Sequence, residues 1–234
     1  MRKIWLLPIC GILLVLFSGC SGTVSSEAEA AVAMDEAQVE DVPGWTSLFD
    51  GKTLDGWVKT NFGGEGNVSV SDGAIRMDWG ETLTGITYQG DFPTVDYEVY
   101  LEAMKTVGTD FFCGLTFPIE DSYATLILGG WGGTVTGISS IMDMDASGNE
   151  TTTVRKYEKN QWYAVRLRVT DERLTAWVDD EVIVDMDTEG AEFDIRPEVS
   201  LSRPLGIAAF QTSAALRNIR YRELSEDEAE GTGM

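Results

Sequence analysis

Leu174-Thr175-Ala176-Trp177-Val178-Asp179-Asp180-Glu181-Val182-Ile183-Val184-Asp185-Met186 decides the architecture. On each side of Asp179-Asp180-Glu181 an apolar side chain recurs at every second position. Alternation with period two gives a strand one apolar face. The acidic triplet between Leu174–Val178 and Val182–Met186 reads as a hairpin turn. The same alternation extends outward to Tyr163–Val169, Ile207–Phe210 and Leu216–Tyr221. It also holds at Val68–Val70, Ala74–Met77, Tyr97–Met104, Phe111–Phe117 and Tyr123–Leu128. Turn residues separate the runs, as at Ser71-Asp72-Gly73, and no window sustains a helical period. About a dozen short strands punctuated in this way predict an all-β protein, a single antiparallel sandwich or barrel without repeats.

The chain has 234 residues, 17 Lys+Arg, 39 Asp+Glu and no His, with a net charge of −22. Such acidity argues against a nucleic-acid partner, which needs a basic footprint. The lack of His excludes Ser-His-Asp and Cys-His catalysis and His-ligated metals. Carboxylates, Tyr, Lys, Arg and oxygen-ligated cations remain for chemistry.

Arg2-Lys3, the apolar run Ile4–Phe17 and Ser18-Gly19-Cys20 read as an export signal, too short to span a bilayer. Leu16-Phe17-Ser18-Gly19-Cys20 resembles a bacterial lipobox, so residues 1–19 are expected to be a leader and Cys20 the lipidated first mature residue. Ser21 after the Cys points to the outer membrane, facing the periplasm. The alternative is a leader cut nearby, giving a soluble secreted protein. Residues 20–44 form an acidic tether that cannot bury enough surface to fold, and residues 225–234 an acidic tail. Setting these aside takes the charge to −14 on the predicted domain, residues 45–224. Cys113 lies in an apolar run and reads as a buried small hydrophobe.

Trp45-Thr46-Ser47-Leu48-Phe49-Asp50-Gly51-Lys52-Thr53-Leu54-Asp55-Gly56-Trp57 resembles the opening signature of the 3-keto-disaccharide hydrolase domain family. Asp96-Tyr97-Glu98, Asn160-Gln161-Trp162-Tyr163, Leu174–Asp179, Pro204-Leu205-Gly206-Ile207, Gln211 and Arg217-Asn218-Ile219-Arg220 keep the family's order. The resemblance implies a concanavalin A-like jelly roll with a concave sheet able to hold sugar. It also implies cleavage of glycosides oxidised at C3. Many members carry a Tyr-Glu-Val-Gln-like strand and a Gln-x-His; here those regions read Tyr123-Ala124-Thr125-Leu126 and Gln211-Thr212-Ser213. The second functional class is a non-catalytic carbohydrate-binding lipoprotein on the same sandwich. A purely structural envelope role is a third.

Among candidate site residues, Glu98, Tyr100 and Glu102 share one strand face opposite Val99 and Leu101. Glu98 and Glu102 stand about 13 Å apart along the strand, too far for a glycosidase pair. Either could work with Asp110, and the set Glu98, Glu102 and Asp110 carries the catalytic expectation. The alternative is a solvated polar face. Gly129-Gly130-Trp131-Gly132-Gly133 presents one indole suited to stacking on a sugar, or one folded onto the rim. Trp131, Tyr100 and Gln211 are the substrate-binding candidates. Arg166, Arg168, Arg217 and Asn218 could fork onto sugar hydroxyls or balance the acidic domain. Asp143-Met144-Asp145-Ala146-Ser147-Gly148 matches half of a calcium loop, but Val154 occupies the position of the bidentate Glu. A polar connection is the expected reading, with Ca²⁺ or another divalent cation kept as the alternative cofactor.

Overall fold

The computed structural model describes residues 44–231. The leader, Cys20 and most of the tether lie outside them. Among the described residues there are fifteen strands: β1 (Thr46–Ser47), β2 (Trp57–Lys59), β3 (Val68–Ser71), β4 (Ala74–Met77), β5 (Leu83–Tyr88), β6 (Tyr97–Gly108), β7 (Cys113–Ile119), β8 (Ser122–Gly130), β9 (Val135–Ser139), β10 (Thr153–Val154), β11 (Trp162–Val169), β12 (Arg173–Val178), β13 (Glu181–Asp187), β14 (Gly206–Phe210) and β15 (Thr212–Glu223). They form two antiparallel sheets, so the sandwich and not the barrel is realised. Sheet I runs β13-β12-β11-β6-β15-β4-β3, with β1 also on β15. Sheet II runs β10-β9-β8-β7-β14-β5-β2.

The opening hairpin forms as its pattern dictates. β12 and β13 pair around Asp179, whose φ of +57° is a left-handed value that Asp tolerates. The Asp179 carboxylate accepts from the Ala164 amide and Arg155, tying the turn to β11. On β11, Tyr163, Val165, Leu167 and Val169 point inward, while Trp162, Ala164, Arg166 and Arg168 point outward. Inward side chains of both sheets interdigitate. Tyr97, Val99 and Leu101 of sheet I share one core with Leu115, Phe117, Leu126 and Ile138 of sheet II. Cys113 is fully buried there, and loss of water pushes its thiol up to about 12, so it packs as an apolar residue.

Two elements depart from the alternation. A 3₁₀ helix, Pro197–Ser202, starts with a proline whose missing N–H is not needed there. The acidic tail begins with one helical turn, Glu226–Ala229, closed by a Ser225–Glu228 capping box. Arg222 bonds Glu228, which with the cap holds that carboxyl at about 2.

Candidate functional site

Sheet II is largely buried on both faces, and its outer face builds the site. Two rows of residues run across its strands there. One is Thr87, Gly206, Thr116, Thr125 and Ser139; the other is Gly85, Ala208, Gly114, Ile127 and Gly137. The first row is hydroxyl-rich and is roofed at one end by the 3₁₀ helix. Thr87 donates to the Leu201 carbonyl, and a Cβ on Gly206 would come 2.5 Å from the Ser202 carbonyl oxygen. Thr116 and Thr125 share a hydrogen bond of 3.1 Å.

The second row carries three glycines and Ala208 beside Ile127, which lets covering groups approach the sheet closely. Leu83, Val199 and Ala208 form a second apolar cluster over it, flanked by Phe62, Phe111, Ile195 and Phe210. Phe111 lies over Gly114, where a Cβ would meet its ring at 3.0 Å. It stacks on Phe210 with ring centroids 6.0 Å apart. The result is a cleft of about 340 Å³ with apolar walls of Leu83, Phe111, Ile127, Val199 and Phe210. Its polar lining includes Asp110, Thr125, Ser139, Arg196 and Glu198, and Trp131 stands at its edge.

Asp110 and Trp131 are tied together. Oδ1 of Asp110 accepts from the Phe111 amide at 2.8 Å, and Oδ2 from the Gly132 amide at 3.1 Å. The carboxylate therefore fixes both Phe111 and the turn that carries Trp131. Each oxygen retains a second lone pair. Trp131 adopts φ +48° and is 44% exposed, presented to solvent and not folded into the core. Glycines at 132 and 133, with φ of +90° and +106°, make this tight turn possible.

Arg196 is the hub of the far wall. It donates to both Asp145 oxygens and to Glu198. Those bonds hold the Glu198 carboxyl below the usual range and raise the Arg196 guanidinium above its own. Ser139 also donates to Asp145. The half-calcium loop thus spends Asp145 on Arg196, while Asn149 caps the Ile138 and Met144 carbonyls. Among the described residues no group of three acidic or thiol side chains converges on a common point.

The other sequence candidates lie elsewhere. Glu98, Tyr100 and Glu102 project from β6 on the outer face of sheet I, so the structure does not bring them to Asp110. Glu98 is not part of a solvated face: it is 1% exposed and clamped by Arg168 and Arg222. Glu102 accepts from Arg217 and Asn218, which balances charge as the second reading of those residues expected. Gln211 neighbours the cleft but is not in its lining. Its side chain donates to the Glu81 carbonyl and its amide to that of Thr82, stapling the cleft's rim. Sequence reasoning missed Phe111 and Phe210, which read as ordinary strand residues, and Arg196 and Glu198, which flank Pro197 in a loop without a motif.

Comparison with solved structures agrees with this architecture. A Parabacteroides distasonis protein assigned provisionally as a glycosyl hydrolase superposes with a TM-score of 0.50 at 15% identity, covering 78% of this chain and 94% of that one. The Crh5 transglycosylase, solved with NAG, gives 0.52 at 12% identity over 78% and 85%. These likenesses show a shared jelly-roll fold. No curated protein sequence matches the chain. The family model for the 3-keto-alpha-glucoside-1,2-lyase-like domain matches residues 44–224, nearly the whole sandwich, and the chain belongs to that family.

Proposed function

We propose that the cleft on sheet II binds a glycoside oxidised at C3 and eliminates its aglycone, with Asp110 as the base. The observation that carries this reading is the placement of the Asp110 carboxylate in an aromatic-walled cleft, bonded to the turn that presents Trp131. A C3 ketone acidifies the C2 proton. Asp110 takes that proton, the C2–H pair becomes the C1=C2 bond, and the C1–O1 bond breaks. The leaving oxygen takes a proton from water, Asp110 returns its proton to the hydroxide so formed, and the products are an enone and the free aglycone. The lack of His leaves a carboxylate as the group suited to this step. Membership of the family supports the same chemistry.

Trp131 serves as the sugar platform, with Phe111 and Phe210 behind it. Trp131→Ala should raise the apparent Kd for a keto-glycoside or its unoxidised parent at least about tenfold, the scale of one lost aromatic contact. Isothermal titration checks this, and unchanged affinity would place the sugar elsewhere. The decisive assay incubates the protein with 3-keto-trehalose and looks for enone and glucose.

A second reading, a non-catalytic carbohydrate-binding domain, draws on one feature: Glu198, the other carboxylate in the cleft, is paired with Arg196. Saturable binding without turnover would select it. Lipid anchoring at Cys20 belongs to the same proposal, since it would hold the domain at the envelope. Labelled palmitate should enter the wild type and not Cys20→Ser; equal labelling would refute the anchor.

A further inference from the structure

We infer that the outer face of sheet I is a second binding surface, for an acidic polysaccharide bearing carboxylates along its chain. Five of the 17 basic residues of this acidic protein, Arg166, Arg168, Arg217, Arg220 and Arg222, are gathered there on β11 and β15. Three carboxylates face them, Glu98, Glu102 and Glu228. Pairing those three carboxylates occupies Arg168, Arg217 and Arg222, and Asp185 and Asp187 beside them are held by Arg173, so among the described residues Arg166 and Arg220 remain as cations without an ion pair on a strongly negative domain.

The surplus has an address. In one row across the sheet Trp177, Arg166, Tyr100 and Arg220 are direct neighbours. Among the described residues neither Arg166 nor Arg220 makes an ion pair, and Arg220 Nε is buried without a hydrogen-bond acceptor. Their guanidinium groups lie on rings instead: Arg166 at 3.9 Å from the Trp177 centroid, Arg220 at 4.2 Å from Tyr100. Arg217 lies similarly at 4.3 Å from Trp162. In the next row Arg168 and Arg222 flank the buried Glu98, each giving it one Nε–H bond. Among the described residues the terminal N–H groups of Arg168 have no hydrogen-bond acceptor.

Stacking on fixed rings sets the planar forks before a ligand arrives, which limits the entropy lost on binding. Arg166 and Arg220 sit two strand spacings apart, about 10 Å, a separation comparable to one disaccharide. A forked donor matches carboxylate oxygens in pairs. Charge complementarity thus favours a uronate chain lying across the strands. A lipid surface fits less well. Membrane-binding faces add an apolar wedge, and here the indoles are half-buried beneath guanidinium groups. Repulsion by the rest of the acidic domain would confine a polyanion to this face.

Affinity electrophoresis of the full-length protein in gels containing polygalacturonate or neutral dextran tests the inference. Retardation by polygalacturonate alone, weakening with salt, is expected. Arg166→Gln/Arg220→Gln should weaken it about tenfold or more, the scale of lost charge-assisted hydrogen bonds. Neither residue partners a buried carboxylate, so Glu98 and Glu102 keep their clamps. Arg166→Lys/Arg220→Lys keeps the charge without the fork and should recover part of the affinity; it also serves if the Gln pair does not fold. Trp131→Ala should bind polygalacturonate as the wild type does, which separates this surface from the cleft. Absence of retardation at low salt overturns the inference. So does wild-type affinity in either double variant, or binding to phosphatidylglycerol vesicles without binding to polygalacturonate.

Discussion

Glu98→Ala should lower the unfolding free energy by about 3 kcal/mol, the low end of the cost of breaking a buried ion pair. The low end applies because Arg168 and Arg222 are 30% and 20% exposed and regain water when their partner is lost. Glu98 itself is 1% exposed and joins β6 to the strands on both sides of it, β11 and β15. Its removal therefore leaves two cations facing each other across the centre of sheet I. At roughly 2–4 °C per kcal/mol for a domain of this size, the melting midpoint should fall by about 6–12 °C. Calorimetry measures it. A shift under about 2 °C would mean that the clamp contributes little beyond a surface pair.

Asp110→Asn should reduce kcat for a 3-keto-glycoside by at least about 10²-fold, a typical contribution of one acid–base group. The amide cannot accept the C2 proton. It also turns one acceptor into a donor, so the bond to either Phe111 or Gly132 is lost. Trp131→Ala separates the two consequences, since a displaced platform alone raises KM more than it lowers kcat. Glu102→Gln, on the far sheet, should leave kcat unchanged. Wild-type kcat in Asp110→Asn would move the base elsewhere in the cleft. A loss in Glu102→Gln equal to that in Asp110→Asn would instead revive the sheet I face as the reaction site.

The strands that the alternation displayed all formed, and the reason is local. Val165, Leu167 and Val169 alternate with Arg166 and Arg168 because β11 has one face in the core and one toward solvent. Wherever the two faces differ in polarity, period two is visible in the chain. Strands β5 and β9 escaped it. Leu83-Thr84-Gly85-Ile86-Thr87 and Val135-Thr136-Gly137-Ile138-Ser139 bear Gly and hydroxyl residues on a face that is itself covered. Burial on both faces removes the polarity contrast. Leu83 of β5 and Ser139 of β9 nevertheless line the cleft, beside Thr125 and Ile127 of β8 and Phe210 of β14, whose runs the alternation displayed.

The sequence by itself determined the antiparallel all-β architecture, the buried Cys113 and the family through its opening signature, and it named Asp110 and Trp131 as candidates. Each depends on neighbours in the chain: alternation along a strand, glycines in a turn, a contiguous signature. Only the tertiary structure decided which sheet face holds the cleft. Asp110 and Glu98 lie twelve positions apart, yet one lines the cleft of sheet II and the other is clamped in sheet I. Register also chose the partners of the carboxylates. Glu98 meets Arg168 and Arg222 from strands 70 and 124 residues away. Asp145 meets Arg196 across 51 residues. The first pairings are set by which strands lie side by side and the last by which loops do, and periodicity along one strand carries no information about its neighbour.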